Sequence, residues 1–598
     1  MSDRASTPSA GPGAGRRFVW LLVLALLVAG LATLAAHALH LAISAITRLA
    51  FYGKWSHEAV SPTGHGLGAW VILVPALGGG LIALLARFGS RGVVGHGIPE
   101  VMQQVLANRS RISPRVAVLK PLASAISIGT GAPYGAEGPV IALGGATGSL
   151  LGQALTMTTN ERKILLAAGA AAAMTAIFGS PVAATLLAVE LLLFEFRARS
   201  AVPVALAAAL AQALRMAAGE GGAVFPLAAS AAEDIAPLTA LGCFAGIGAV
   251  AGVLAVAAGG AVHRTEDFFA RLPINPLWCP VLGGLVVGVA GWCEPRVLGA
   301  GYEVITSLLG GELGAGTVAL VCGLKLVIWI VSLGSGTSGG TLAPMLVVGG
   351  GVGALAATAA QGAGLAGVSP GLAALAGMTA FFAGGSRALF ASVVLAVEIT
   401  HQAGALWPAA TAAAVAVGVA HLLSPRSLMT EAVERRGVRV PADFAADVFE
   451  QVRVGEVMEK NPVVIDEAMR VGELADRIGA GDAGLSRSQA YLVKNADGRL
   501  AGIITRGDLL AAVERGDAGE TLDAVMTRDP VRAFPDETLH EALERMHAHD
   551  VGRLPVVERA APHALVGYLG RAAILSARQM RWREHHEPEP GWWKKRGR

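Results

Sequence analysis

Charge is scarce in this chain. Asp, Glu, Lys and Arg make up 15% of its 598 residues, against about 25% in soluble domains. That deficit excludes an ordinary soluble enzyme, and it excludes a charge-rich disordered chain. Cysteine is also sparse. Cys243, Cys279, Cys293 and Cys322 all lie in apolar sequence, and none belongs to a C-x-x-C pair. Neither a disulfide framework nor a zinc site is indicated, and the four read as small buried hydrophobes. A net charge of +3 gives no reason to expect a nucleic-acid partner. The histidines are scattered and no nucleophile–base or metal-ligand spacing stands out, so the chain is not read as an enzyme and no metal site is expected.

What the chain has is hydrophobic residues, at 53%, and 78 Gly, about 13% of the chain where about 7% is usual. Excess Gly in apolar sequence points to polytopic membrane helices packed through small residues. Residues 1–17 are rich in Ser, Gly, Pro and Ala and read as a disordered tail. Arg4, Arg16 and Arg17 against Asp3 favour the cytoplasmic side for it. The run from Phe18 to about Ile46 is nearly uncharged, long enough to cross a bilayer and too long for a signal-peptide core. Apolar segments then continue to about residue 423, and several are broken by Gly or Pro. Broken helices at membrane depth are tolerated only where the freed backbone lines a cavity or is buried in protein. We read a membrane domain over 18–437 and a linker over 438–453. Two α/β units follow, over 454–516 and 522–580, and a basic, aromatic tail over 581–598.

The membrane part repeats itself, in copies at about 60–220 and 236–423. Gly129, Gly131, Gly135, Pro139, Gly144, Gly145 and Gly148 each meet the same residue type 205 positions later, and Lys120 meets Lys325. Met174-Thr175-Ala176 returns as Met378-Thr379-Ala380, and Leu187-Ala188-Val189-Glu190 as Leu395-Ala396-Val397-Glu398. Paired, interrupted hydrophobic segments of this kind point to a transporter's binding site. The soluble part also repeats. Val457-Met458 with Pro462 returns as Val525-Met526 with Pro530.

Three segments share one physical logic: Gly95-His96-Gly97-Ile98-Pro99-Glu100, Gly135-Ala136-Glu137-Gly138-Pro139 and Gly339-Gly340-Thr341-Leu342-Ala343-Pro344. Each sets Gly ahead of a Pro that opens a helix-competent run. Pro suits the first helical turn, and a helix N-terminus offers unpaired N–H groups and the positive end of its dipole. Several such ends aimed at one point bind an anion without a full cationic charge, and so let it leave again. Glu137 lies in the middle of this apolar sequence. An ionisable residue at membrane depth is a functional residue by default, and its carboxylate can stand in the anion's place.

These segments in that order, closed by Ser424-Pro425-Arg426-Ser427-Leu428-Met429 and Arg435-Arg436-Gly437, resemble the CLC family of chloride channels and chloride/proton antiporters, with a C-terminal CBS-domain pair. The resemblance covers about residues 18–580. It implies an all-α polytopic membrane protein with two inverted halves, an α/β CBS tandem on the cytoplasmic side of a cell membrane, and a homodimer with one pore per subunit. It makes Glu137 the gate. It places His96, Gly97, Ile98, Glu137, Gly138, Thr341, Leu342 and Met429 around chloride or another small anion.

The chain departs from the family pattern in four places. His96 stands where Ser is usual, Ala136 where Arg or Lys precedes the glutamate, and Met429 where a Tyr hydroxyl faces the anion. Glu190 matches a structural glutamate, read as capping a helix contact together with Glu398. Leu191 occupies the position of the internal proton-carrying glutamate and cannot carry a proton. We therefore expect a gated passive chloride channel, with a chloride/proton antiporter as the alternative. A CBS-regulated cation transporter is a distant third, since it would need acidic residues clustered in its spans. No cofactor is required for transport. The CBS resemblance implies an adenine nucleotide held by Thr505 and Asp508, whereas the second unit has Gly570 and Ala573 at those positions.

Overall fold

The computed structural model describes residues 14–592 except 94, 96, 228–239, 364–367, 442–448, 450–451, 483 and 487. The chain forms two compact units, one of Met1–Val440 with Pro588–Arg598, the other of Pro441–Glu587. The described residues nearest the two ends of the chain therefore fall in the same unit.

The first unit is helical. Among the described residues, eight helices are long and apolar enough to cross a membrane, beginning with α1, Ala14–Tyr52. That helix starts inside the stretch read as tail, because Arg17 is held by a bidentate pair with Glu161 at 2.5 and 2.9 Å. Residues 1–13 lie outside the described residues. The helices that matter for the site are shorter or more buried. In chain order the next are α2 (Leu73–Phe88), α3 (Gly97–Ala107), α4 (Pro114–Gly129), α5 (Glu137–Ala154), α6 (Thr159–Phe178) and α7 (Pro181–Ala188). Then come α8 (Ala198–Ala217), α9 (Leu241–Ala270), α10 (Cys279–Cys293), α11 (Tyr302–Gly310) and α12 (Ala315–Gly334). The unit closes with α13 (Leu342–Gly362), α14 (Pro370–Ser386), α15 (Leu389–Thr400), α16 (Leu406–Leu423) and α17 (Leu428–Glu434).

The sequence repeat is a structural repeat. α5 packs against α6 as α13 packs against α14, and glycine sets both distances. A Cβ on Gly144 would lie 2.2 Å from the Gly169 carbonyl oxygen, and one on Gly349 would lie 2.4 Å from that of Gly377. Only bare backbone allows such approach, which supplies packing where lipid offers no hydrophobic drive. The copies meet head to head. Gly135 and Gly340, just ahead of α5 and α13, exchange two backbone hydrogen bonds of 3.2 and 3.1 Å.

In the second unit a four-stranded sheet runs in the order β1 (Val464–Asp466), β2 (Ala490–Lys494), β3 (Leu500–Thr505), β4 (Thr527–Arg528), with β1 and β2 parallel and the rest antiparallel. β5 (Arg553–Glu558) and β6 (Ala561–Gly570) pair antiparallel. Helices at Val471–Gly479, Arg506–Glu514, Leu539–Ala548 and Arg571–His586 accompany them. The last helix reaches into the stretch read as tail.

Candidate anion site at three helix N-termini

The three Gly/Pro segments come together. A Cβ on Gly97 would lie 2.3 Å from the Gly138 carbonyl oxygen, and one on Gly138 would lie 2.8 Å from the Gly340 Cα. The first turns of α3, α5 and α13 therefore share one junction, with Ile98, Gly138 and Leu342 all buried there. Thr341 is the N-cap residue of α13 and makes no side-chain cap bond. Met429 is buried in α17, which packs against α3 and α14. His96 lies outside the described residues. Leu191, in the π-helical turn Val189–Leu193 after α7, lines a small apolar pocket with Ile98, Ile141, Met174, Leu187 and Leu192.

Glu137, fully buried, opens α5. Its Oε1 accepts a 3.1 Å hydrogen bond from the Tyr302 hydroxyl, and the Ala343 amide of α13 faces the carboxylate. Oε2 accepts no hydrogen bond of ordinary geometry from any described residue. It points back at Gly135, where an added Cβ would lie 1.8 Å away. The side chain is thus a carboxyl group parked among helix N-termini, bonded by the Tyr302 hydroxyl and faced by the Ala343 amide.

Tyr302 is the residue that sequence reasoning missed. Its oxygen also accepts from the Ala136 amide at 3.2 Å, so one hydroxyl bridges the backbone before α5 and the carboxylate on it. Its ring contacts those of Phe178 and Phe225, with centroids 6.3 and 5.8 Å away. The loop before it is fixed from below. Buried Lys325 donates to the carbonyls of Val297 and Gly299 at 2.9 and 2.6 Å, and the Gly299 amide donates to the Gly131 carbonyl at 2.9 Å. Lys120, matched to Lys325 by the repeat, instead forms an ion pair with Glu100 of α3. The available signal was a lysine in an apolar run, twice.

The two halves interlock around the junction. The hydroxyls of Tyr134 and Thr337 share a hydrogen bond of 2.6 Å, and those of Ser124 and Ser338 one of 2.8 Å. Farther out, Glu190 accepts from the amides of Phe390 and Ala391, and Glu398 from those of Val182 and Ala183. In the second unit Thr505 and Asp508 form a capping box at the start of the helix Arg506–Glu514. The Asp508 carboxylate accepts from both the amide and the hydroxyl of Thr505 at 2.8 Å. Gly570 provides no such side-chain cap in the second repeat. Among the described residues no cluster of three or more metal-ligating side chains occurs.

A protein-family model described as voltage gated chloride channel matches residues 76–421. A CBS-domain model matches 454–515 and 522–579. The chain is 27% identical over 401 residues, 65% of its length and 92% of the relative's, to a putative chloride channel protein ClcB-like of Ralstonia nicotianae. It is 28% identical over 363 residues, 59% of its length and 76% of the relative's, to an H(+)/Cl(-) exchange transporter ClcA of Vibrio cholerae. Among solved structures, a slow cyanobacterial Cl-/H+ antiporter is similar, with a TM-score of 0.61 at 23% identity, covering 70% of this chain and 98% of that one. At that identity the likeness bears on the fold.

Proposed function

The chain belongs to the voltage-gated chloride channel family, and on that premise we propose that it carries chloride or another small anion across a membrane past Glu137, in exchange for protons. The observation that carries this reading is the Glu137 carboxylate, buried where the first turns of α3, α5 and α13 meet. Peptide dipoles aimed at that point favour a negative charge. The protein's own carboxylate supplies one until an anion replaces it. Protonation of Glu137 withdraws its charge and frees the place, which ties anion passage to protons. The exchange transporter among the relatives supports antiport over the passive channel expected from sequence.

One observation favours the channel. Leu191 and its pocket are wholly apolar and offer a proton no partner. A liposome experiment separates the two. Reconstituted protein under an outward chloride gradient, with no other driving force, drives protons uphill if it is an exchanger. A passive channel dissipates the gradient with no proton movement. In either case Glu137→Ala is expected to flatten the pH dependence of anion flux without abolishing flux. Loss of all flux in a folded variant contradicts the gating role.

We also propose that the protein works as a homodimer, that its N-terminus and CBS pair lie on the cytoplasmic side, and that the CBS pair takes an adenine nucleotide through Thr505 and Asp508. Both groups already serve the capping box, so a ligand has to share them.

A further inference from the structure

The last residues described in the chain leave the CBS unit and return to the membrane unit. Glu589 pairs with Met157 as an isolated antiparallel bridge, its amide donating to the Met157 carbonyl at 2.9 Å. Its carboxylate sits among three guanidiniums. It pairs with Arg111, and it accepts from Arg162 at 2.8 Å and from Arg109 at 3.4 Å. Two residues on, Gly591 is buried so closely that a Cβ would lie 2.3 Å from the Ala154 carbonyl oxygen. The flanking Pro588 and Pro590 deny this segment a helix and keep it extended.

The place where it docks is built rather than incidental. The Arg162 side chain is 3% exposed, and an arginine buried to that extent needs an anion beside it. The loop that presents Arg109 and Arg111 is strained: Arg109 and Ser110 hold φ of 49° and 58°, a conformation costly for residues other than Gly. That strain is held in place by Arg162 donating to the Arg109 carbonyl at 3.1 Å and by the Ser149 hydroxyl donating to the Ser110 carbonyl at 2.7 Å. Burial alone would push the Glu589 carboxyl up, but hydrogen bonds from Arg162 and Arg111 outweigh it and hold the group below the usual carboxylate range.

We infer that residues 588–591 are a strap that ties the far end of the CBS unit to the tail ends of two of the three helices whose heads form the candidate anion site. The loop carrying Arg109 and Arg111 directly follows α3, and Ala154 is the last residue of α5. At its other end the CBS unit follows α17, which carries Met429. In sequence the unit is therefore an insertion between α17, which packs against α3, and the docked segment 588–591. Docking stands on the contacts above. Its effect on transport rests on the anion-site reading proposed above.

The test uses the full chain in liposomes, the chain ended at Glu587, the single variant Glu589→Arg, and the isosteric variant Glu589→Gln. Hydrogen exchange of residues 108–112 and 154–162 reads docking, and chloride flux reads coupling. Loss of one charge-assisted contact is worth roughly a factor of ten. Exchange in both segments should therefore rise about tenfold or more in the shortened chain and in Glu589→Arg, with a several-fold change in flux. Glu589→Gln, which keeps the shape and removes the charge, should fall between the full chain and Glu589→Arg in both readouts. Unchanged exchange in the shortened chain overturns docking. Faster exchange with unchanged flux overturns coupling. Exchange in Glu589→Gln equal to that of the full chain overturns the arginine clasp. Glu137→Ala, run in parallel, keeps these outcomes apart from failure of the gate, because it reads pH dependence and leaves the strap in place.

Discussion

Glu190 and Glu398 each cap a helix that belongs to the other half of the repeat. Glu190 follows α7 and accepts from the first amides of α15, at Phe390 and Ala391, with distances of 3.1 and 3.2 Å. Glu398 lies on α15 and accepts from the first amides of α7, at Val182 and Ala183, at 3.0 and 2.8 Å. A carboxylate at a helix N-terminus satisfies orphan N–H groups and complements the dipole. Both residues hold the halves together, and neither needs to move a proton. Glu190→Ala should lower the stability of the membrane unit by about 1–2 kcal/mol, read as a shift in thermal unfolding in detergent. The anion and proton stoichiometry of the protein that remains folded should be unchanged.

Tyr302 holds Glu137 in its parked position. Tyr302→Phe keeps the ring contacts with Phe178 and Phe225 and removes only the hydroxyl. A hydrogen bond to a charged group contributes about 1.5–3 kcal/mol, so the parked state should lose at least about tenfold in occupancy. Anion efflux at neutral pH should be correspondingly faster. Efflux at the wild-type rate would mean that the hydroxyl does not hold the gate.

Gly135 gives a way to move the same carboxylate without deleting it. Its backbone lies outside the left-handed region, so Ala is conformationally allowed. The added methyl would meet the flexible end of Glu137, with Oε2 1.8 Å away. Gly135→Ala should therefore push the carboxylate out of the junction while the fold is kept. The expected result is flux with a flattened pH dependence, like that of Glu137→Ala, in a protein that still carries the acid.

In the CBS unit, Thr505→Ala removes a capping box. It should cost that unit about 1 kcal/mol, within the range of about 0.5–2 measured for caps, seen as a lower midpoint in denaturant. Calorimetry with ATP tests the ligand at the same time. Binding that is present in the wild type and lost in Thr505→Ala supports the proposed site, and undiminished binding places the nucleotide elsewhere.

Much of the membrane unit was legible before its structure. Glycine that precedes a helix-opening proline has few uses, and three such corners in a repeated context implied the junction that Gly97, Gly138 and Gly340 make. The role of Glu190 and Glu398 followed from their matched places in the repeat. Tyr302 was not legible, because its contact spans 165 positions and no local spacing encodes it. The strap was half legible. Pro588 and Pro590 announce an extended segment, but its partners Arg109, Arg111 and Arg162 are hundreds of residues away and carry no pattern of their own. The cap between Thr505 and Asp508 shows the opposite case. The spacing that suggested a ligand is also the spacing of a capping box.

The central claim is that an anion rests where the first turns of α3, α5 and α13 meet. The direct measurement is anomalous diffraction from crystals of Glu137→Ala grown in bromide. A peak at the junction of Gly97, Gly138 and Leu342, in the space vacated by the carboxylate, is the predicted result. Bromide bound elsewhere in the membrane unit, with that junction empty, would contradict the account.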